Sequence, residues 1–94
     1  MTENVKTYEI VLSGRVQGVG FRYFVESIAG KYNIYGYVRN TSNNKVEVVC
    51  QGEDENIKLF IDRVKKGPAF SEVTDVKVEE IKESNKYSIF EIRF

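Results

Sequence analysis

The sequence predicts a two-layer α/β sandwich, and three observations lead there. The chain is short, its apolar residues alternate in some segments and recur at helical spacing in others, and the helical segments fall between the alternating ones. With 94 residues it makes one domain, residues 1–94, and leaves no room for a second core. At 41% hydrophobic and 13% aromatic residues, with a single proline, the composition is that of a folded chain. A domain of this size removes roughly 60–70% of its unfolded surface from water, so no disulfide or metal is needed to hold it together.

The elements follow in order. Tyr8, Ile10 and Leu12 face one way, and Thr7, Glu9 and Ser13 the other, which is a half-buried strand. A glycine-rich turn runs from Gly14 to Gly20. Phe21, Phe24, Val25, Ile28 and Tyr32 then recur at the spacing of an amphipathic helix. Asn33 stands where that helix should end, since asparagine tolerates the left-handed cap conformation. Ile34 to Arg39 is a second strand, and Val46, Val48 and Cys50 mark one face of a third. The turn-rich cluster Asn40 to Lys45 suits a hairpin between them. Gly52 closes the third strand, and Glu53 and Asp54 supply an acidic start for a second helix with Ile57, Phe60, Ile61 and Val64 on its buried stripe. Lys65 and Lys66 fill its last turn and Gly67-Pro68 stop it. Val76 and Val78 mark a fourth strand; Phe90, Ile92 and Phe94 mark a final one.

The order is thus β-α-β-β-α-β with a short extra strand at the C-terminus. Clean alternation implies an antiparallel sheet with one solvated face, and two helices covering the other face give the ferredoxin-like α+β sandwich. That scaffold hosts many activities, so function must come from particular residues.

Fourteen basic and fourteen acidic residues cancel, so no global field draws the protein to nucleic acid or to an anionic membrane. Cys50 is the only cysteine and there is no histidine, which excludes an intrachain disulfide and Cys/His metal frameworks. Cys50 itself reads as a small buried hydrophobe. Met1 to Lys6 is polar and lacks a signal-peptide core, and the longest apolar runs are far too short to span a bilayer. The expectation is a monomeric cytoplasmic protein with no metal or cofactor and no nucleic-acid or membrane partner.

The chemistry concentrates in Gly14-Arg15-Val16-Gln17-Gly18-Val19-Gly20-Phe21-Arg22, which joins a strand end to a helix start. Glycines let backbone N–H groups converge, and converging amides beside a helix N-terminus bind anions. Arg22, in the first helical turn, offers a fixed fork of donors to phosphate oxygens. Lone glycine patterns are weak signals, and a plain strand-to-helix turn with a solvated arginine accounts for this one equally well. Three phosphate motifs are ruled out. No Gly-Lys-Ser/Thr triplet occurs, Tyr23 stands where the dinucleotide fingerprint requires glycine, and the lone cysteine lies far from the turn.

The stretch from Leu12 to Arg22, Leu-Ser-Gly-Arg-Val-Gln-Gly-Val-Gly-Phe-Arg, resembles the phosphate-binding signature of the acylphosphatase family. A second block, Gly36-Tyr37-Val38-Arg39-Asn40, followed by Val46 and Gly52, resembles that family's second motif. Together the blocks cover about a third of the chain. Asn44 departs from the pattern where the family usually has glycine, although asparagine is the best substitute at a positive-φ turn position. The resemblance implies that the backbone amides of Arg15, Val16, Gln17, Gly18, Val19 and Gly20 cradle the phosphoryl oxygens. It further implies that Arg22 neutralises them and that Asn40 positions the attacking water. The implied partners are a small acyl phosphate and inorganic phosphate.

Read alone, Asn40 is a turn asparagine bonding its own backbone. Phe21 reads as a core anchor, Gln17 as a contributor to loop shape, and Arg15 and Arg39 as flanking positive charge. Tyr35 and Tyr37 alternate with inward residues and suit packing under a loop. An ester phosphatase needs an acid to protonate an alkoxide, and neither block brackets a carboxylate. An acyl phosphate expels a carboxylate whose conjugate acid has a pKa of about 4, so it needs none. Two alternatives stay open: a domain serving a carbamoyl-phosphate-using enzyme, or a non-catalytic ferredoxin-like binding module. The first sits at the front of much longer chains, so an end at Phe94 in the last strand favours a stand-alone enzyme. The second would bind RNA through sheet-face aromatics, for which the basic balance is missing.

Overall fold

Seven elements follow one another in this computed structural model, which describes residues 4–83 and 85–94; the first three residues of the polar Met1–Lys6 stretch lie outside them. They are β1 (Val5–Arg15), α1 (Phe21–Lys31), β2 (Tyr35–Asn40), β3 (Val46–Glu53), α2 (Asp54–Lys66), β4 (Glu72–Ile81) and β5 (Phe90–Arg93). The strands form one sheet in the order β4-β1-β3-β2-β5. Both helices pack on the same face, where Ile10 and Leu12 of β1, Val46, Val48 and Cys50 of β3 and Val38 of β2 meet Phe21, Val25 and Ile28 of α1 and Ile57, Phe60 and Val64 of α2. These are the residues whose period pointed inward in the sequence.

The helix ends also follow local chemistry. Asn33 takes φ 56° just past the C-cap of α1, and Asn44 takes φ 67° in the β2–β3 hairpin. Asparagine occupies both because its short polar side chain lowers the cost of the left-handed region. Asp54 and Glu55 occupy the first turn of α2, Lys65 and Lys66 the last, and Gly67 its C-cap.

Four strands pair antiparallel, but β5 joins β2 in parallel, Gly36 opposite Phe90 and Arg39 opposite Arg93. The reason is topological. β4 ends at one edge of the sheet, beside the start of β1, with Ile81 opposite Thr7. To reach the other edge the chain crosses the bottom of the sheet, so β5 starts level with β2 and runs the same way. This crossing strap also changes the expected solvated face. Gln51 and Thr7 lie on that face yet are only 7% and 6% exposed. The Gln51 Nε2 donates to Thr7 Oγ1 and to the Asn85 carbonyl, each at 2.9 Å, and the Tyr87 N–H donates to Gln51 Oε1 at 2.9 Å. Tyr37 packs edge-on against Tyr87, 6.2 Å between centroids, and lies under the Arg93 guanidinium at 3.8 Å. Phe94, expected on a strand face, lies beyond β5 and is 91% exposed.

Candidate active site

At the upper end of the sheet, where β1 and β2 finish, the register of β1 against β4 slips between Ser13 and Gly14. The chain then leaves the sheet through Val16 and enters α1 at Phe21, and both side chains are buried in the core at 1% and 2% exposure. Two apolar anchors therefore fix the ends of the intervening turn. Within it Gly18 has φ 75° and Gly20 φ 77°, while Gln17 and Val19 stay out of the left-handed region. Alternation of this kind turns successive N–H groups toward one side, the geometry of an anion nest. A Cβ at Gly18 or Gly20 would meet nothing within 4 Å, so glycine is required there for its backbone angle and not for space.

The start of α1 is unusually bare. Gly20 is its N-cap with no side-chain cap bond, and no acidic residue stands in its first turn. Four backbone N–H groups at a helix start have no intrahelical acceptor, and with the helix dipole they favour a bound anion. At α2, by contrast, the chain's own Asp54 and Glu55 supply that negative charge. Arg22 projects from the first turn of α1, half-buried. Among the described residues it pairs with no carboxylate, and its guanidinium lies 4.6 Å from the centroid of the Phe94 ring. A cation–π contact at an exposed site contributes roughly 0.5–1 kcal/mol, enough to bias one rotamer.

Asn40 is the last residue of β2, paired with Val46 at the mouth of the hairpin. Its Oδ1 is buried, and among the described residues no protein group donates to it. A buried acceptor without a donor costs roughly 1–3 kcal/mol unless something else fills the role.

Val16, Gly18, Gly20, Arg22 and Asn40 line one cleft of about 90 Å³, together with Phe21 and Tyr23. That volume is about three water molecules' share of liquid, well below the roughly 300–1,000 Å³ of drug-sized sites. It suits a phosphoryl group with a water beside it, leaving any organic substituent outside. The other expected residues lie around it. Arg15 pairs with Glu72 at the end of β1, Gln17 turns its side chain toward the hairpin, and Val19 packs on the core. The lining contains no carboxylate. Two contributors were missed from sequence. Tyr23, 62% exposed, forms part of the rim, and Phe94 backs Arg22. Tyr23 could have been read from its place beside Arg22; nothing local marks Phe94.

A larger groove of about 680 Å³ opens at the bottom of the sheet, beneath the strap. Its wall mixes Lys6, Lys82 and Lys86 with Glu53, Glu80 and Glu83, and acidic groups there oppose any anion. The upper cleft has the chemistry.

Comparison with known proteins identifies the family. The acylphosphatase family model matches residues 8–92. The chain is 48% identical over 87 residues to an acylphosphatase of Bacillus licheniformis, covering 93% of this chain and 97% of that protein. It is 41% identical over 85 residues to one from Bacillus subtilis, covering 90% and 93%. Among solved structures, a crystal structure of acylphosphatase from Bacillus subtilis superposes with a TM-score of 0.91 at 39% identity, covering 96% of this chain and 99% of that one. Full-length HypF in its phosphate- and nucleotide-bound form superposes with a TM-score of 0.92 at 35% identity, over 100% of this chain but 12% of that one. By sequence over nearly its whole length, and by fold, the chain belongs to the acylphosphatase family of enzymes.

Proposed function

We propose that this protein hydrolyses acyl phosphates to a carboxylate and inorganic phosphate by direct attack of an Asn40-held water on phosphorus. The observation that carries this is the sharing of one phosphoryl-sized cleft by the two-glycine turn, Arg22 and the undonated Oδ1 of Asn40. The amides and Arg22 take the equatorial oxygens, where charge spreads in the transition state. The water donates one hydrogen bond to Asn40 Oδ1, which aims its lone pair at phosphorus. As the new P–O bond forms, the bond to the acyl oxygen breaks and its electron pair leaves on the carboxylate. With no carboxylate lining the cleft, the water's proton passes to a phosphoryl oxygen. No acid is needed for a leaving group with a pKa of about 4, and no metal or cofactor is needed while amides and a guanidinium carry the charge.

On the same reading the protein is a cytoplasmic monomer whose partners are the acyl phosphate and inorganic phosphate, with no nucleic-acid or membrane partner. Its balance of 14 basic and 14 acidic residues supports the absence of a nucleic-acid or anionic-membrane partner. A second reading, the acyl-phosphate-splitting domain of a larger carbamoyl-phosphate-using enzyme, is favoured by the likeness to 12% of HypF. Turnover of benzoyl phosphate but not carbamoyl phosphate would exclude it.

The test compares benzoyl phosphate with p-nitrophenyl phosphate in the presence of a chelator, for wild type, Arg22→Gln and Asn40→Ala. The expected outcome is rapid cleavage of the acyl phosphate alone. Asn40→Ala lowers kcat by about 10²–10³-fold, typical of losing a group that acts in the transition state, and leaves inhibition by inorganic phosphate intact. Arg22→Gln weakens that inhibition as well. A wild type no faster than spontaneous hydrolysis would defeat the proposal.

A further inference from the structure

We infer that Gln17 is a positioning residue, whose side chain sets the distance between the phosphate-binding turn and Asn40; the inference rests on the acyl-phosphate reading of the cleft. Gln17 belongs to the turn, but its carboxamide leaves it. The Nε2 donates to the Thr41 carbonyl at 2.9 Å and to the Lys45 carbonyl at 2.9 Å, across 24 and 28 residues of sequence. These two carbonyls stand on opposite sides of the hairpin mouth that carries Asn40. The hairpin is closed from within, since the Thr41 N–H donates to the Lys45 carbonyl at 2.9 Å and the Lys45 N–H donates to Thr41 Oγ1 at 3.1 Å. Gln17 clamps that closed unit to the turn from outside.

Thr41 follows Asn40 directly, so the clamped residue lies one Cα–Cα step, about 3.8 Å, from the Cα of Asn40. Phosphorus is placed by the turn and water by Asn40, and the two are separate loops of the chain. In-line attack requires both in one geometry, and a misplacement of about 1 Å costs on the order of 10²-fold in rate. The side chain that fits this job carries two N–H donors on one nitrogen at glutamine's reach. Glutamate has no donor when ionised, and asparagine is one methylene short. Gln17, Thr41 and Lys45 are not among the residues lining the cleft. The Gln17 backbone N–H, which the family resemblance assigns to the anion, is kept in any side-chain substitution, so loss of the clamp should disturb alignment and spare anion binding.

Benzoyl phosphate kinetics, inhibition by inorganic phosphate and thermal melts on wild type, Gln17→Leu, Gln17→Met, Asn40→Ala and the Gln17→Leu/Asn40→Ala double variant test this. The two Gln17 substitutions keep bulk and remove both donors, so one folded variant suffices. The expected result is a kcat lower by roughly 10–100-fold, with phosphate inhibition within about threefold of wild type. In the double variant the Gln17 substitution should add no more than about threefold to the loss already caused by Asn40→Ala, because residues acting as a unit are not additive. An unchanged kcat overturns the inference. So does phosphate inhibition that weakens in step with kcat, or a Gln17 effect that persists in full without Asn40. If wild type fails to cleave benzoyl phosphate, the reading of the cleft falls and the inference with it. If wild type is active and Gln17→Leu is unaffected, only the inference falls.

Discussion

Gln51→Leu should cost this protein about 2–3 kcal/mol of stability while leaving catalysis intact. Gln51 is 7% exposed and its carboxamide makes three hydrogen bonds, to Thr7, Asn85 and Tyr87. At about 1 kcal/mol net each the sum is about 3 kcal/mol. The Asn85 carbonyl belongs to an exposed residue and can take water instead, which lowers the total, whereas the Thr7 hydroxyl, at 6% exposure, cannot. For a domain this small each kcal/mol shifts Tm by about 4–8 °C, so a fall of roughly 10–20 °C is expected. With a urea m-value of about 1–1.5 kcal/mol/M the midpoint should drop by about 2 M. Adding Thr7→Val should cost little more, because an apolar pair has no orphaned partner. The cleft lies at the other end of the sheet, so kcat on benzoyl phosphate should stay within about twofold of wild type at a temperature where both are folded. Urea and thermal unfolding followed by circular dichroism give both numbers. A loss below about 0.5 kcal/mol would refute the idea that Gln51 ties the strap down.

Other perturbations probe different parts. Gly20→Ala forces alanine into the left-handed region without a clash; it should cost about 1–2 kcal/mol and weaken phosphate inhibition by about 5–10-fold, while unchanged inhibition would mean that these amides do not hold phosphate. Glu9 shares a hydrogen bond with Glu47, is partly buried, and faces Glu79 across the β1–β4 pairing, so its carboxyl is held above the ordinary 4.5. A carboxyl raised by folding penalises the folded state above its pKa, so Glu9→Gln should stabilise at neutral pH, and the gain should vanish as pH falls below the ordinary carboxylate range. Burial pushes the Cys50 thiol from 9.0 up to about 12. The folded protein then keeps a proton that the unfolded chain loses above 9, so between about pH 8 and about pH 10.5 wild type should lose about 2 kcal/mol more stability than Cys50→Ala.

Much of this was legible because it is local. The stripe Ile57, Phe60, Ile61 and Val64 announced α2 by period alone, and all four are buried. Asn33 and Asn44 advertised positive φ by residue type. The two motif blocks lie 18 residues apart between Arg22 and Asn40, yet those residues line one cleft, because β1 and β2 run parallel on either side of β3 and finish at the same end of the sheet. What was not legible depends on pairings with no local signature. A four-residue closing strand carries too few side chains to say whether it pairs parallel or antiparallel. From that one choice follow the strap over Gln51, the stacking of Arg93 on Tyr37, and the arrival of Phe94 at Arg22. The burial of Gln51, on the face opposite Val46, Val48 and Cys50, was not legible because alternation reports which face a residue takes, not what later covers that face.

The central claim is that water attacks phosphorus, not the acyl carbon, and hydrolysis of benzoyl phosphate in ¹⁸O-labelled water tests it directly. Mass spectrometry of the products should find one labelled oxygen in inorganic phosphate and none in benzoate. Label appearing in benzoate would place the attack on the carbonyl, where an Asn40-held water beside a phosphate-binding turn has no part to play.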